Sequence, residues 1–125
     1  TVEYAPFSTL LKHASVFVHH GGIGTMSQGF AAGVPQLIMA MAHDQPDNAD
    51  RLERLGAGTG LSVRQFTSER VTQELKQLLH GEATHQSVQD CTAKLRQTPS
   101  PEVLIEWIET RMKSRSRPFD VSKDA

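Results

Sequence analysis

The chain has 125 residues, enough for one domain with a real core but near the lower end for an open α/β sheet. Lys and Arg number 13 against 14 Asp and Glu, and the formal charge of −1 excludes a global field that would draw the chain to nucleic acid or an anionic membrane. Cys91 is the sole cysteine, which excludes an internal disulfide and fits a reducing compartment, and no apolar run approaches the ~18 residues of a bilayer span.

Thr1 opens the chain with neither an initiator Met nor a basic, apolar leader, inside what reads as a strand, so the expectation is a piece of a longer protein. Val2 to Ala5 reads as a short strand stopped by Pro6, and Phe7 to His13 as a brief helix with Phe7, Leu10, Leu11 and Ala14 at helical spacing. Val16 to His19 is predicted as a buried strand, Thr25 to Ala32 as the next helix, and Gly33 as its left-handed terminator before Val34-Pro35. Gln36 to Ala40 is the following strand. Asp47 or Asn48 is the expected cap of a helix over Ala49 to Leu55, closed by Gly56, and Gly58 to Val63 reads as a short strand.

The remainder reads as helical. A helix from Ser68 carries Val71, Leu75, Leu78 and Leu79 on one face and ends at Gly81. Residues 82–97 form a weakly amphipathic helix. Ser100-Pro101 begins a last one, with Val103, Leu104, Trp107, Ile108 and Met112 as its apolar stripe. A domain over 1–113 and a frayed, charged tail over 114–125 are expected. Strand, glycine turn, helix, strand, polar turn is the order of a parallel α/β sheet, whose ligands bind outside the carboxyl ends of the strands.

Two such ends are chemically unusual. At Gly21-Gly22-Ile23-Gly24-Thr25, a helix N-terminus points unpaired N–H groups and a positive dipole end outward, and glycine lets a phosphate approach that backbone. Thr25 adds a hydroxyl and His20 a ring N–H, completing the parts of a diphosphate cradle. No GK[ST] follows, and the third glycine of a G-x-G-x-x-G fingerprint would fall on Ser27, so neither a P-loop nor that dinucleotide motif is present. Strand alternation sends His19 and His20 to opposite faces, which favours His20 for the ligand and His19 for structure. The same alternation argues against a metal held by His19, His20, His43 and Asp44. His43-Asp44-Gln45, at the neighbouring strand end, supplies acceptors and donors suited to vicinal hydroxyls. A capping turn is the plainer alternative for each turn alone; side by side they favour a ligand carrying both phosphate and sugar.

The run His20-Gly21-Gly22-Ile23-Gly24-Thr25, then Ala32-Gly33-Val34-Pro35, then Asp44-Gln45 with Asn48, resembles the donor-binding domain of nucleotide-sugar-dependent glycosyltransferases of the GT-B, family 1 type, in its bacterial and sterol-glucosyltransferase form. The likeness runs from about Tyr4 to Leu61. It implies a Rossmann-like three-layer α/β/α fold with a parallel sheet, here the truncated C-terminal half of a GT-B enzyme. By resemblance, His20, Gly22, Gly24 and Thr25 bind the donor diphosphate, and Asp44 and Gln45 the transferred sugar. Gln28 stands where many relatives carry a ribose-binding Glu, and Phe7 where plant members place a base-binding Gln, so a ring-stacking or packing role suits Phe7 equally.

The implied reaction is an inverting hexosyl transfer, with glucose favoured, from a UDP- or TDP-sugar to a hydroxyl of a lipid, sterol or other small molecule, without metal or cofactor. The implied general base lies in the missing N-terminal acceptor domain, so no catalytic residue is expected here and the isolated chain is expected to be inactive. A non-catalytic sugar-nucleotide-binding or regulatory module is the alternative. A cytoplasmic protein is expected, without transmembrane segment or nucleic-acid partner. Peripheral membrane contact through Trp107, Arg111, Lys113, Arg115 and Arg117 is a weaker alternative to a helix that packs its stripe. Loss of the first strands of a 3-2-1-4-5-6 sheet would expose an edge at Val16–His19 and favour dimerisation.

Overall fold

A computed structural model of the chain describes residues 6–115. The expected strand over Val2–Ala5 and the tail from residue 116 onward lie outside the described residues. The described elements are α1 (Phe7–Leu10, continued by a 3-10 turn at Leu11–His13), β1 (Phe17–His19), α2 (Ile23–Ala32), β2 (Gln36–Ala40), α3 (Gln45–Arg54), β3 (Gly58–Ser62), a 3-10 turn at Val63–Gln65, α4 (Ser68–His80), α5 (Glu82–Arg96) and α6 (Pro101–Arg115).

The strands form a parallel sheet in the order β1-β2-β3, with Phe17 opposite Gln36, His19 opposite Ile38, and Ile38 opposite Gly60. β2 lies between two strands and is covered on both faces, which is why its sequence is a continuous apolar run rather than an alternating one. Successive side chains point oppositely. Ile38 joins Met26, Ala49, Leu52, Ala57 and Val88 on the side of α2, α3 and α5, whereas Leu37 joins Leu61 and Leu78, with Val16, Phe66, Val71 and Leu75 around them, on the side of α4. Leu37, Ile38 and Leu52 are wholly buried, and burial of each such side chain contributes about 1.5–3 kcal/mol. Helices on both faces of a parallel sheet make the expected three-layer α/β/α arrangement. β1 is the outer strand of the described sheet, and its Val18 is exposed.

Several boundaries differ from the sequence reading. Helix α2 starts at Ile23 rather than Thr25, with extended Gly22 as its cap residue, and Gly33 ends it at φ 72°. Helix α3 starts at Gln45 rather than Ala49, because Pro46 suits its first turn. Asp47, expected as a cap, lies inside that first turn and pairs with Arg51 at 2.8 Å. On α4, Leu79 is exposed, lying beyond the stripe that Val71, Leu75 and Leu78 turn to the sheet. The 3-10 turn takes Val63 from the end of β3. Helix α6 reaches Arg115, and its stripe is largely exposed: Val103, Leu104, Trp107, Ile108 and Met112 are 43–66% exposed. No helix of the described residues is long and apolar enough to cross a membrane.

Candidate functional site

The two histidines at the end of β1 part. His19 is half-buried, and its ring stacks on Phe17 with centroids 4.6 Å apart. Its Nδ1 accepts the Gly21 N–H at 3.0 Å, and its Nε2 lies 2.9 Å from Gln36 Oε1. An Nδ1 that accepts carries no proton, so Nε2–H donates to Gln36 and His19 is held as one neutral tautomer. Burial holds its pKa below the ordinary value, helped by the neighbouring His20 and opposed by the Gln36 hydrogen bond. Gln36 has no exposed surface, and its Nε2 finds no partner among the described residues. His20 is exposed instead, with Nε2 over the glycine turn, 3.2 Å from where a Cβ of Gly22 would stand.

Gly21 has φ +90°, and a Cβ there would lie 2.7 Å from Ile38 Cγ2, so glycine is a structural requirement at this position. Gly24 is the opposite case. No atom lies within 4 Å of its would-be Cβ, so packing does not call for glycine there. No side chain caps α2, and its first helical bond runs from Met26 N–H to Gly22 C=O at 2.9 Å. The N–H groups of the first turn therefore face outward at the positive end of the helix dipole, and the Thr25 hydroxyl beside them has no partner among the described residues.

The second turn, at the end of β2, presents side chains. Gln45 Oε1 accepts from Met41 N–H at 2.9 Å and from Ala42 N–H at 3.2 Å, closing the loop on itself. His43 adopts φ 59°, the sole positive φ of a non-glycine residue among the described residues. Asp44 is exposed in front of α3. The Asn48 carboxamide joins the two turns: Nδ2 donates to Gly21 O and to Asp44 Oδ2, each at 2.9 Å, and Asn48 is only 4% exposed.

His20, Gly22, Gly24, Thr25, Asp44 and Gln45 thus lie on two joined turns at the carboxyl ends of neighbouring strands. Gln28 and Phe7 are placed differently. Gln28 lines a cleft of about 340 Å³ with Ser8, Lys12 and Arg96, and Phe7 meets Phe17 edge-on at 5.3 Å, the packing alternative. An apolar groove of about 290 Å³, lined by Phe30, Leu55, Cys91 and Leu95 among others, shares no residue with either turn. The polar groups, rather than enclosed volume, mark the site. Among the described residues no three His, Cys, Asp or Glu side chains gather as a metal site requires. Sequence reasoning missed Gln36, although a polar residue opening a buried apolar run is itself a signal that it needs a partner. It took Asn48 for a helix cap and a motif member, not for the link between the turns.

A parallel sheet between two helical layers, with a backbone-presenting glycine turn beside an acid-amide turn, matches part of the Rossmann-like C-terminal domain of GT-B glycosyltransferases. The chain belongs to the family described as "Erythromycin biosynthesis protein CIII-like, C-terminal domain", whose profile matches residues 1–110. It is 34% identical over 110 residues to aclacinomycin-T 2-deoxy-L-fucose transferase of Streptomyces galilaeus, covering 86% of this chain and 25% of that protein. Among solved structures it resembles spinosyn forosaminyltransferase SpnP, with TM-score 0.83 and 31% identity over 87% of this chain and 30% of that one. It also resembles glycosyltransferase VinC in complex with DTDP, with TM-score 0.80 and 27% identity over 90% of this chain and 29% of that one. The chain thus spans about a quarter of the length of the curated relatives it matches.

Proposed function

We propose that this chain is the donor-binding part of an inverting glycosyltransferase that moves a hexose or deoxyhexose from a TDP- or UDP-sugar to a hydroxyl of a small-molecule acceptor. The observation that carries the reading is Gly24. A glycine in the first turn of a helix, with nothing near its would-be Cβ, has no packing reason, and glycine is less favourable than alanine in a helix by up to about 1 kcal/mol. Close approach of a diphosphate to that backbone supplies the reason.

In this reading the first-turn N–H groups, Thr25 and His20 hold the diphosphate, and the Asp44 carboxylate and the Gln45 Nε2, whose Oε1 is held by the loop backbone, serve the sugar hydroxyls. The acceptor oxygen bonds to the anomeric carbon as the bond to the diphosphate oxygen breaks. Charge developing on the leaving group is met by donors already in place. The acceptor proton passes to a base outside this chain, so the chain alone binds donor without turning it over. The name of VinC's complex supports TDP, and the deoxysugar transferases among the relatives favour a deoxyhexose over the glucose that the motif resemblance favours.

Calorimetric titration of the chain with TDP and UDP tests the assignment. His20→Ala is expected to weaken diphosphate binding about tenfold, the loss of roughly one charge-assisted hydrogen bond, and Gly24→Ala by a similar factor because its Cβ keeps the phosphate off the backbone N–H groups. Gly24→Ala should leave the melting temperature unchanged or higher. Absence of nucleoside diphosphate binding, or full affinity in both variants, would overturn the reading.

A further inference from the structure

We propose that Asn48 is a positioning residue that couples the diphosphate turn to the sugar-binding carboxylate. This rests on the donor-binding reading above. One buried carboxamide nitrogen spends its two hydrogens on two different turns, bridging Gly21 O and Asp44 Oδ2 at 2.9 Å each. Gly21 and Asn48 are 27 residues apart, and Asp44 precedes Asn48 by one helical turn.

The anchored side of this bridge is rigid. The Gly21 N–H is bound to His19, His19 is bound to Gln36, and Gly21 lies too close over Ile38 to admit a Cβ. The tethered side chain has fewer supports. Asp44 is exposed, makes no side-chain capping bond to α3, and follows His43 at φ 59°. Among the described residues its carboxylate has Asn48 as its sole hydrogen-bond donor. A free aspartate samples several staggered rotamers. The bridge selects one, in which Oδ2 is tied back to the diphosphate turn and Oδ1 is left for a ligand hydroxyl. Sugar recognition is thereby referenced to the glycine turn, which lies on a different strand end.

The test is the preference of the 125-residue chain for a TDP-sugar over TDP, titrated with TDP-glucose and TDP-rhamnose and read, for whichever sugar donor binds tighter, as the dissociation constant of TDP divided by that of the TDP-sugar. Asp44→Ala should lower that ratio about tenfold, the effect of losing one hydrogen bond to a charged group. Asn48→Ala should lower it about three- to tenfold, as the carboxylate disperses over its rotamers. In Asp44→Ala/Asn48→Ala the second substitution should add nothing to the ratio, because both act through the same carboxylate. Asn48→Ser guards against misfolding: its smaller polar side chain leaves room for a water to bind Gly21 O but cannot span both turns, so circular dichroism should show a folded chain while the ratio falls.

A merely structural Asn48 would weaken TDP and the TDP-sugar equally. A wild-type ratio in both Asn48 variants, with the Asp44→Ala effect present, overturns the coupling and spares the donor-binding reading. An unchanged ratio in Asp44→Ala overturns the sugar assignment and the coupling with it. No TDP binding by the unsubstituted chain overturns the donor-binding reading itself.

Discussion

The turn after β1 offers backbone and the turn after β2 offers side chains, although both leave the carboxyl ends of neighbouring parallel strands. The first takes its main donors from the N–H groups at the start of α2, with Thr25 and the exposed His20 beside them, and its shape is held from beneath by buried residues. The second is an exposed loop with a left-handed His43, closed by Gln45 and tied to the first by Asn48. A diphosphate, whose geometry is the same in every donor, suits a fixed backbone cradle. A sugar, which differs between donors, suits side chains that substitution can change without disturbing the sheet.

If the first turn is the rigid reference, its buried support should be the costliest place to alter. Gly21→Ala combines a left-handed φ, about 1–2 kcal/mol for an L-residue, with overpacking against Ile38 Cγ2 of about 1–3 kcal/mol. Urea unfolding should show a loss of about 2–5 kcal/mol. A loss below about 1 kcal/mol would mean the turn yields easily and is not the reference we take it for.

The paired histidines sharpen the same contrast at a smaller scale. His19→Ala leaves the Gly21 N–H and the Gln36 amide without their partner, at a cost of about 1–3 kcal/mol. His20→Ala removes an exposed ring and should stay within about 0.5 kcal/mol of the unsubstituted chain, its effect falling on ligand affinity. Equal losses of stability in the two variants would erase the division between support and presentation.

Much of this arrangement was legible in the sequence because local signals and the global fold agree. Gly33-Val34-Pro35 could only stop a helix, Gln36 to Ala40 could only be a covered strand, and alternation separated His19 from His20 before any coordinates. What was not legible depends on tertiary partners. Asn48 has the composition of a cap, and only the adjacency of β1 and β2 places Gly21 O within its reach. Gln36 looks misplaced until His19, opposite Ile38 on the neighbouring strand, supplies its partner. The sequence reading starts α3 four residues late because Asp47 and Asn48 have the composition of caps, whereas Pro46 lies in the first turn of the helix. The α6 stripe reads as buried by pattern yet is exposed here, since periodicity names an apolar surface without naming what covers it.

The finest test of the buried support is its response to pH. The His19 pKa is lowered in the folded chain, first by burial and then by the charge of His20, against an ordinary value near 6.5. The folded state therefore binds fewer protons than the unfolded state between that lowered pKa and 6.5, and stability must rise with pH across the interval. The contribution is fully present above 6.5 and is lost as pH falls through the folded value, when a proton on Nδ1 would face the Gly21 N–H. Other titrating groups add their own slopes, so the measurement is a difference between unfolding curves. His19→Asn keeps an oxygen able to accept from Gly21 but cannot titrate in this range. The unsubstituted chain should lose stability relative to His19→Asn as pH drops below 6.5, and the two should run parallel above it. Parallel curves throughout would show that the proton on Nδ1 is tolerated, and that the glycine turn does not depend on the neutral ring beneath it.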